Sequence, residues 1–249
     1  MAGKIIWGGS AFDINRPYDI SIGLQEKNEA VNCYYAPPYK TSPVVIGDFI
    51  GDLKQGSPVN YRNVAFNPHG NGTHTECLAH IADVPVSMSN LPKGCFFLSQ
   101  VLSAQPREQL NGDFVIMEED VIPHVLPGIE ALILRTIPNE TSKKVRQYSG
   151  TNPAYIDPKI GSKLATLDIL HFLTDLPSLD KEVDEGKLLA HRAFWQYPES
   201  PRLEATITEL VFIDDQIADG SYLLNLQVAN FDLDAAPSRP IIFPLITNE

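Results

Sequence analysis

Short apolar, β-branched runs recur along the chain and are separated by polar stretches that carry glycine and proline. The runs are Lys4–Trp7, residues 44–50, 113–117, Ala131–Thr136, 167–174, 205–213, 222–228 and 241–246. Their length and composition predict strands. Helical patterns are fewer. One helix is predicted from Pro158, a first-turn proline, and another over residues 184–195, where Leu188, Leu189 and Ala193 share a face. Strands that outnumber helices in this mixture predict a layered α/β (α+β) domain. The 20 prolines are spread over the whole length and mark no linker, so one domain over residues 1–249 is expected. Residues 138–153 are the most loop-like stretch and are either a surface excursion or a lid. His171 falls inside an apolar run, where a core histidine is the expected role.

Composition narrows the partners. Hydrophobic residues make up 43% of the 249 and charged residues 20%, an ordinary globular balance that predicts a sizeable core. Nineteen basic against 31 acidic residues leave a net charge of −12, and the basic residues are scattered. A nucleic-acid or anionic-membrane partner is therefore not expected. Cys33, Cys77 and Cys95 are odd in number and lack CxxC spacing, which fits a reducing compartment. The first residues turn polar too soon for a secretory signal, and no apolar run approaches the ~20 residues of a membrane helix. A soluble, cytoplasmic protein is the expectation.

Candidate chemistry is concentrated between residues 69 and 80, His-Gly-Asn-Gly-Thr-His-Thr-Glu-Cys-Leu-Ala-His, which hold three of the six histidines. Two readings fit. Imidazole and carboxylate are the usual ligands of zinc and similar divalent ions, and the glycines would let neighbouring side chains converge. Alternatively, Thr73 to Glu76 forms a Ser/Thr-x-x-Glu capping box for a helix with Cys77, Leu78 and Ile81 as its apolar face. That reading leaves His74 and His80 unexplained. Other motifs fail on context: Gly70-x-Gly72-x-x-Thr75 lacks the last glycine of a dinucleotide fingerprint, and no Gly-x-Ser-x-Gly elbow exists. Cys77 is expected to be a buried small hydrophobe rather than a nucleophile.

The stretch from Gly72 through Thr73, His74 and Glu76 to His80 resembles the H-x-G-T-H-x-D-x-P-x-H motif of the metal-dependent cyclase-like hydrolases, the family of bacterial kynurenine formamidase and isatin hydrolase. Further segments match in order. Leu134-Arg135-Thr136 resembles a strand ending in Arg-Thr, residues 174–180 (TDLPSLD) resemble G-x-D-x-x-S-x-D, and His191-Arg192-Ala193 resembles the downstream helix histidine. Glu209-Leu210 resembles E-x-L, and Asp234 to Arg239 (DAAPSR) resembles D-A-A-P-x-R.

The resemblance implies a swivelling β/β/α fold, a homo-oligomer (dimer or tetramer), and a site for one or two divalent ions, zinc or manganese. Carried over, His69, His74, Glu76, His191 and Glu209 are the metal ligands and His80 the catalytic acid/base. The implied reaction is hydrolysis of a small-molecule amide, either an N-formyl aryl amine such as formylkynurenine or a cyclic amide. Tyr34, Tyr35, Ala36, Pro37 and Pro38, with Phe66 and Trp195, either line a pocket for an aryl ring or belong to the core.

Three departures bear on this. His69 lies five residues before His74 where the family has four, so either the loop bulges to return His69 to the site or Asn71 replaces it. Glu76 stands for an aspartate, and Leu78 for a proline. Residues 197–202 look like an inserted loop beside the site. A non-catalytic descendant that keeps the fold is the competing reading.

Overall fold

The structure, a computed structural model, describes residues 3–26 and 30–246; of the expected domain, residues 1–2, 27–29 and 247–249 lie outside the described residues. A nine-stranded mixed sheet organises it. In chain order its strands are β1 (Tyr18–Asp19), β2 (His74–Glu76), β3 (Phe96–Ala104), β4 (Ala131–Thr136), β5 (His171–Thr174), β6 (Thr206–Glu209), β7 (Gly220–Asn225), β8 (Ala235–Pro237) and β9 (Ile241–Pro244). Across the sheet the order is β8-β2-β6-β5-β4-β3-β7-β9-β1. The four central strands, β6-β5-β4-β3, are parallel, and every other pair is antiparallel. The sheet curls: the chain leaving β1 reaches back to the segment after β6, with Phe212 N donating to Ile20 O and Ser21 bridging Val211.

Parallel strands covered on both faces read as continuous apolar runs, and β4 is buried at all six positions. Leu132 and Leu134 face a core shared with Ile160, Leu164, Phe194 and Trp195. Ala131 and Ile133 face the opposite core with Val101, Val211 and Leu224. Each fully buried apolar side chain contributes roughly 1.5–3 kcal/mol.

Helices α1 (Glu118–Val121), α2 (Pro158–Thr166) and α3 (Leu189–Trp195) complete the main elements. Pro158 opens α2, and Asp157 caps it by accepting from Lys159 N. α2 crosses α3 at Gly161, where a Cβ would lie 2.8 Å from Ala190 O. This is the layered α/β arrangement that the sequence predicts.

Several expectations are corrected. The predicted run 44–50 is two two-residue strands, Val45–Ile46 and Phe49–Ile50, folded back at Gly47 (φ 55°). The predicted helix 184–195 forms only at Leu189–Trp195, because Asp184 turns the preceding chain by accepting from Gly186 N and Leu188 N. Residues 138–153 are not a free lid. They contain a 3-10 helix, Thr141–Val145, whose buried Lys143 Nζ is held by Thr136, Asn139 and Asp175. His171 is the expected core residue, bonded to Thr206 Oγ1 at 2.8 Å. Among the described residues no helix is long and apolar enough to cross a membrane.

Candidate metal centre and its pocket

The capping-box helix at residues 73–81 does not form. Residues His74–Glu76 are β2, inserted between β6 and β8, and a 3-10 helix, Leu78–His80, follows. Thr73, the expected cap, uses its hydroxyl elsewhere: it donates to Leu210 O and accepts from Ile22 N. In a strand, alternate side chains share a face. Thr75 therefore points away and meets Thr208 Oγ1 at 2.7 Å, while His74 and Glu76 point together toward α3. The register places His74 opposite Glu209 and Glu76 opposite Ile207. Glu209 ends β6, at the carboxyl edge of the parallel strands, where α/β sheets commonly bind ligands.

His191 reaches the same point from α3. Asp180 accepts from Ala190 N and His191 N at the start of that helix, and its Oδ2 also accepts from His191 Nδ1. That leaves His191 Nε2 3.1 Å from Glu76 Oε1 and 3.6 Å from Glu209 Oε1. His74 is set in the same way: Nδ1 donates to Gly72 O, and Nε2 comes within 3.4 Å of Glu209 Oε2. Such partners on the outer nitrogen are what fix the tautomer of a metal-binding imidazole.

The extra residue before His74 is absorbed. His69 Nδ1 lies 3.2 Å from Glu76 Oε2, and Nε2 lies 3.0 Å from Asp234 Oδ2. The glycines serve this by their small size, and not by the positive φ their type suggests. Neither they nor Asn71 is left-handed, but a Cβ on Gly70 would lie 2.3 Å from Ala36 Cβ and one on Gly72 2.8 Å from Ile22 O. Asn71 points elsewhere, its Oδ1 accepting from Asn67 N. His80, on the 3-10 helix, places Nδ1 3.2 Å from Asp234 Oδ2 and Nε2 3.8 Å from Glu76 Oε2.

All six candidate residues therefore meet. Donor atoms of His69, His74 and Glu76, of His69, His80 and Asp234, and of Glu76, His80 and His191 form three groups, each within 4.8 Å. Two buried atoms, His74 Nε2 and Glu76 Oε2, have no hydrogen-bond partner. The His69 Nδ1 to Glu76 Oε2 approach is close but not aligned as a hydrogen bond. Buried donor atoms left without partners where imidazoles and carboxylates converge suit a cation, so the donor set fits a divalent ion.

Charge in the cluster is balanced by its imidazoles. Full burial opposes ionisation of Glu76, but His80, His191 and His69 overcome this and hold it well below the usual carboxylate range. Hydrogen bonds from His69 and then His80 hold Asp234 low as well. Burial disfavours a charged His69, yet the Asp234 and Glu76 carboxylates raise its pKa to about 10.

A cavity of about 410 Å³ opens onto the cluster, its walls including Tyr34, Tyr35, Pro37, Ser178, Leu188 and Glu209. The tyrosines and Pro37 thus line a pocket, and Trp195 is core, fully buried with its ring 5.6 Å from that of His191. Phe66 instead packs on Phe231. No wall residue comes from 197–202. That segment packs behind α3, where Arg202 donates to Phe194 O and Ile169 O.

A family model described as "Putative cyclase" matches residues 18–181. The chain belongs to the cyclase family. No curated protein sequence matches it. Solved structures of cyclase-like fold resemble it at low identity. One described as a "potential metal-dependent hydrolase with cyclase activity" has a TM-score of 0.64 at 14% identity, over 92% of this chain and 97% of the other. Isatin hydrolase A from Labrenzia aggregata gives 0.63 at 14% identity, over 92% and 93%. Isatin hydrolase A from Ralstonia solanacearum gives 0.59 at 10%, over 92% and 91%. These likenesses establish the cyclase-family fold.

The sequence reading gave no role to Asp234 or Asp180, although both stand in segments that resemble the family's. Asp234 contacts two histidines and Asp180 orients a third. A carboxylate that opens the matched DAAPSR segment is the signal that pointed to Asp234.

Proposed function

We propose that this cyclase-family chain is a metal-dependent hydrolase of a small amide, either an N-formyl aryl amine such as formylkynurenine or a cyclic amide. The observation that carries this reading is the pair of unpartnered buried atoms, His74 Nε2 and Glu76 Oε2, at the floor of a cavity walled by aromatic side chains. His69, His74, Glu76, His191 and Glu209 would hold the ion, zinc or manganese. A divalent ion in such a donor set polarises a carbonyl and lowers the pKa of water to about 7.

The chain's own residues do the rest. Asp180 and Gly72 O fix two imidazoles so that Nε2 faces inward. Asp234 accepts a hydrogen bond from His80 Nδ1 and leaves Nε2 on the inner side. When the C–N bond breaks, the departing nitrogen needs a proton, and His80 Nε2, having first accepted one from the attacking water, supplies it as the general acid. The aromatic wall receives the aryl part of the substrate. The offset of His69, which motivates a non-catalytic reading, is closed by the loop geometry. Assembly as a dimer or tetramer belongs to the same proposal and is read by light scattering.

Elemental analysis and turnover of formanilide test the reading together. The purified protein should carry about one or two divalent ions per chain, and Glu209→Ala should carry none. His80→Ala should keep its metal and lose turnover by ~10²-fold or more. Protein that neither holds nor takes up zinc or manganese would overturn the ligand assignment.

A further inference from the structure

Tyr34 and Tyr35 occupy a turn that tyrosine avoids. Ala36 N bonds to Cys33 O at 3.0 Å, and both tyrosines between them are left-handed, with φ of 55° and 53°. Two consecutive positive φ values are the mark of a type I′ turn, which ordinarily takes Asn-Gly or Gly-Gly. Each non-glycine residue held there costs about 1–2 kcal/mol. The surroundings hold the turn in place. Cys33 N donates to Gly70 O in the loop that carries His69, and Tyr35 N donates to Ser149 Oγ. The absence of a side chain at Gly70 is what lets Ala36 sit against it. Strain maintained by so many contacts at the rim of a cavity points to a use for the side chain it displays.

The turn displays Tyr34 across the cavity. Its hydroxyl lies 2.8 Å from Pro177 O, 143 positions along the chain and next to Ser178 of the cavity lining. A proline carbonyl can only accept, so the phenol proton is committed to it. What the Tyr34 oxygen retains is acceptor capacity, of which the Ser178 hydroxyl engages one part. Beside it Ser178 and Glu209 line the same wall, and Glu209 is likewise acceptor-only when ionised. This side of the pocket matches a ligand that presents an N–H and an aromatic face.

We propose that Tyr34 determines specificity by accepting a hydrogen bond from the amide N–H of an aryl amide while its ring packs on the aryl group, so that N–H amides are preferred over their N-alkylated counterparts. The proposal rests on the amide-hydrolase reading for its ligand class, but its test needs no turnover. The probes are oxindole, an aryl lactam with a free N–H, and N-methyloxindole, titrated calorimetrically into the zinc-loaded protein, Tyr34→Phe and Tyr34→Ala.

The wild-type protein should bind oxindole about five- to tenfold more tightly than N-methyloxindole, the range one net hydrogen bond gives. Tyr34→Phe should lose that preference by weakening oxindole alone, and Tyr34→Ala should weaken both ligands. An undiminished preference in Tyr34→Phe, equal wild-type affinities, or no binding of either ligand would each overturn the role. Normal discrimination by a protein that hydrolyses no formanilide would overturn the hydrolase reading and leave the role of Tyr34 standing.

Discussion

At the scale of single residues, the position of His69 is set by what its neighbours lack. With no side chain at Gly70, the loop lies against Ala36, and His69 meets Glu76 and Asp234 despite its shifted place in the sequence. His69→Ala should therefore weaken zinc affinity at least tenfold in competition with a chelator. Asn71→Ala should leave affinity nearly unchanged and cost about 1 kcal/mol of stability through its lost hydrogen bond to Asn67 N. The reverse ranking would make Asn71 the ligand. His69, His74, Glu76 and His80 stood out because imidazole and carboxylate are crowded into one short stretch, whereas His191 and Glu209 entered only through the family resemblance. Asp234 was legible only as the first residue of the matched DAAPSR segment, since a carboxylate 154 residues from His80 has no local pattern that ties it to an imidazole.

At the scale of elements, β5 carries a titration of its own. Burial lowers the pKa of His171 to about 3, against an ordinary 6.5. Between those values the unfolded chain binds a proton that the folded chain refuses, so stability falls as pH drops below about 6.5 and goes on falling to about 3. The slope approaches ~1.4 kcal/mol per pH unit. Denaturant midpoints at pH 7 and pH 5 should show His171→Gln losing about 1–2 kcal/mol less than the wild type. Equal losses would mean that His171 titrates normally.

Elements were legible where local pattern and burial agree. Ala131–Thr136 was predicted to the residue because it opens on the apolar run Ala131 to Leu134, as a strand covered on both faces does. Residues 73–76 satisfy a helix cap equally well by type. What decides for a strand is the bonding of Thr73 to Ile22 and Leu210, contacts across 51 and 137 residues that no window on the sequence contains.

At the scale of the whole molecule, four carboxylates, Glu76, Asp180, Glu209 and Asp234, converge in a chain whose net charge is already −12. A cation bound only by the folded state stabilises it by mass action, about 2.7 kcal/mol when free metal stands at 100 times Kd. Removing metal by dialysis against a chelator should then lower Tm by about 5–10 °C, given about 2–4 °C per kcal/mol for a chain of this size. Re-addition should restore it, and Glu209→Ala should show no shift with either treatment. An unchanged Tm on chelation would separate the cluster from any ion.

The placing of β2 reaches into the order in which the molecule is made. Its two neighbours, β6 and β8, lie more than 120 residues downstream, so β2 leaves the ribosome with both edges bare and with His74 and Glu76 lacking Glu209 and His191. Synthesis must pass Glu209 before one edge is covered and Pro237 before the other. The half of the histidine and carboxylate cluster that appears first thus waits, incomplete, through most of translation. Closure of the sheet and maturation of the centre then become a single late event.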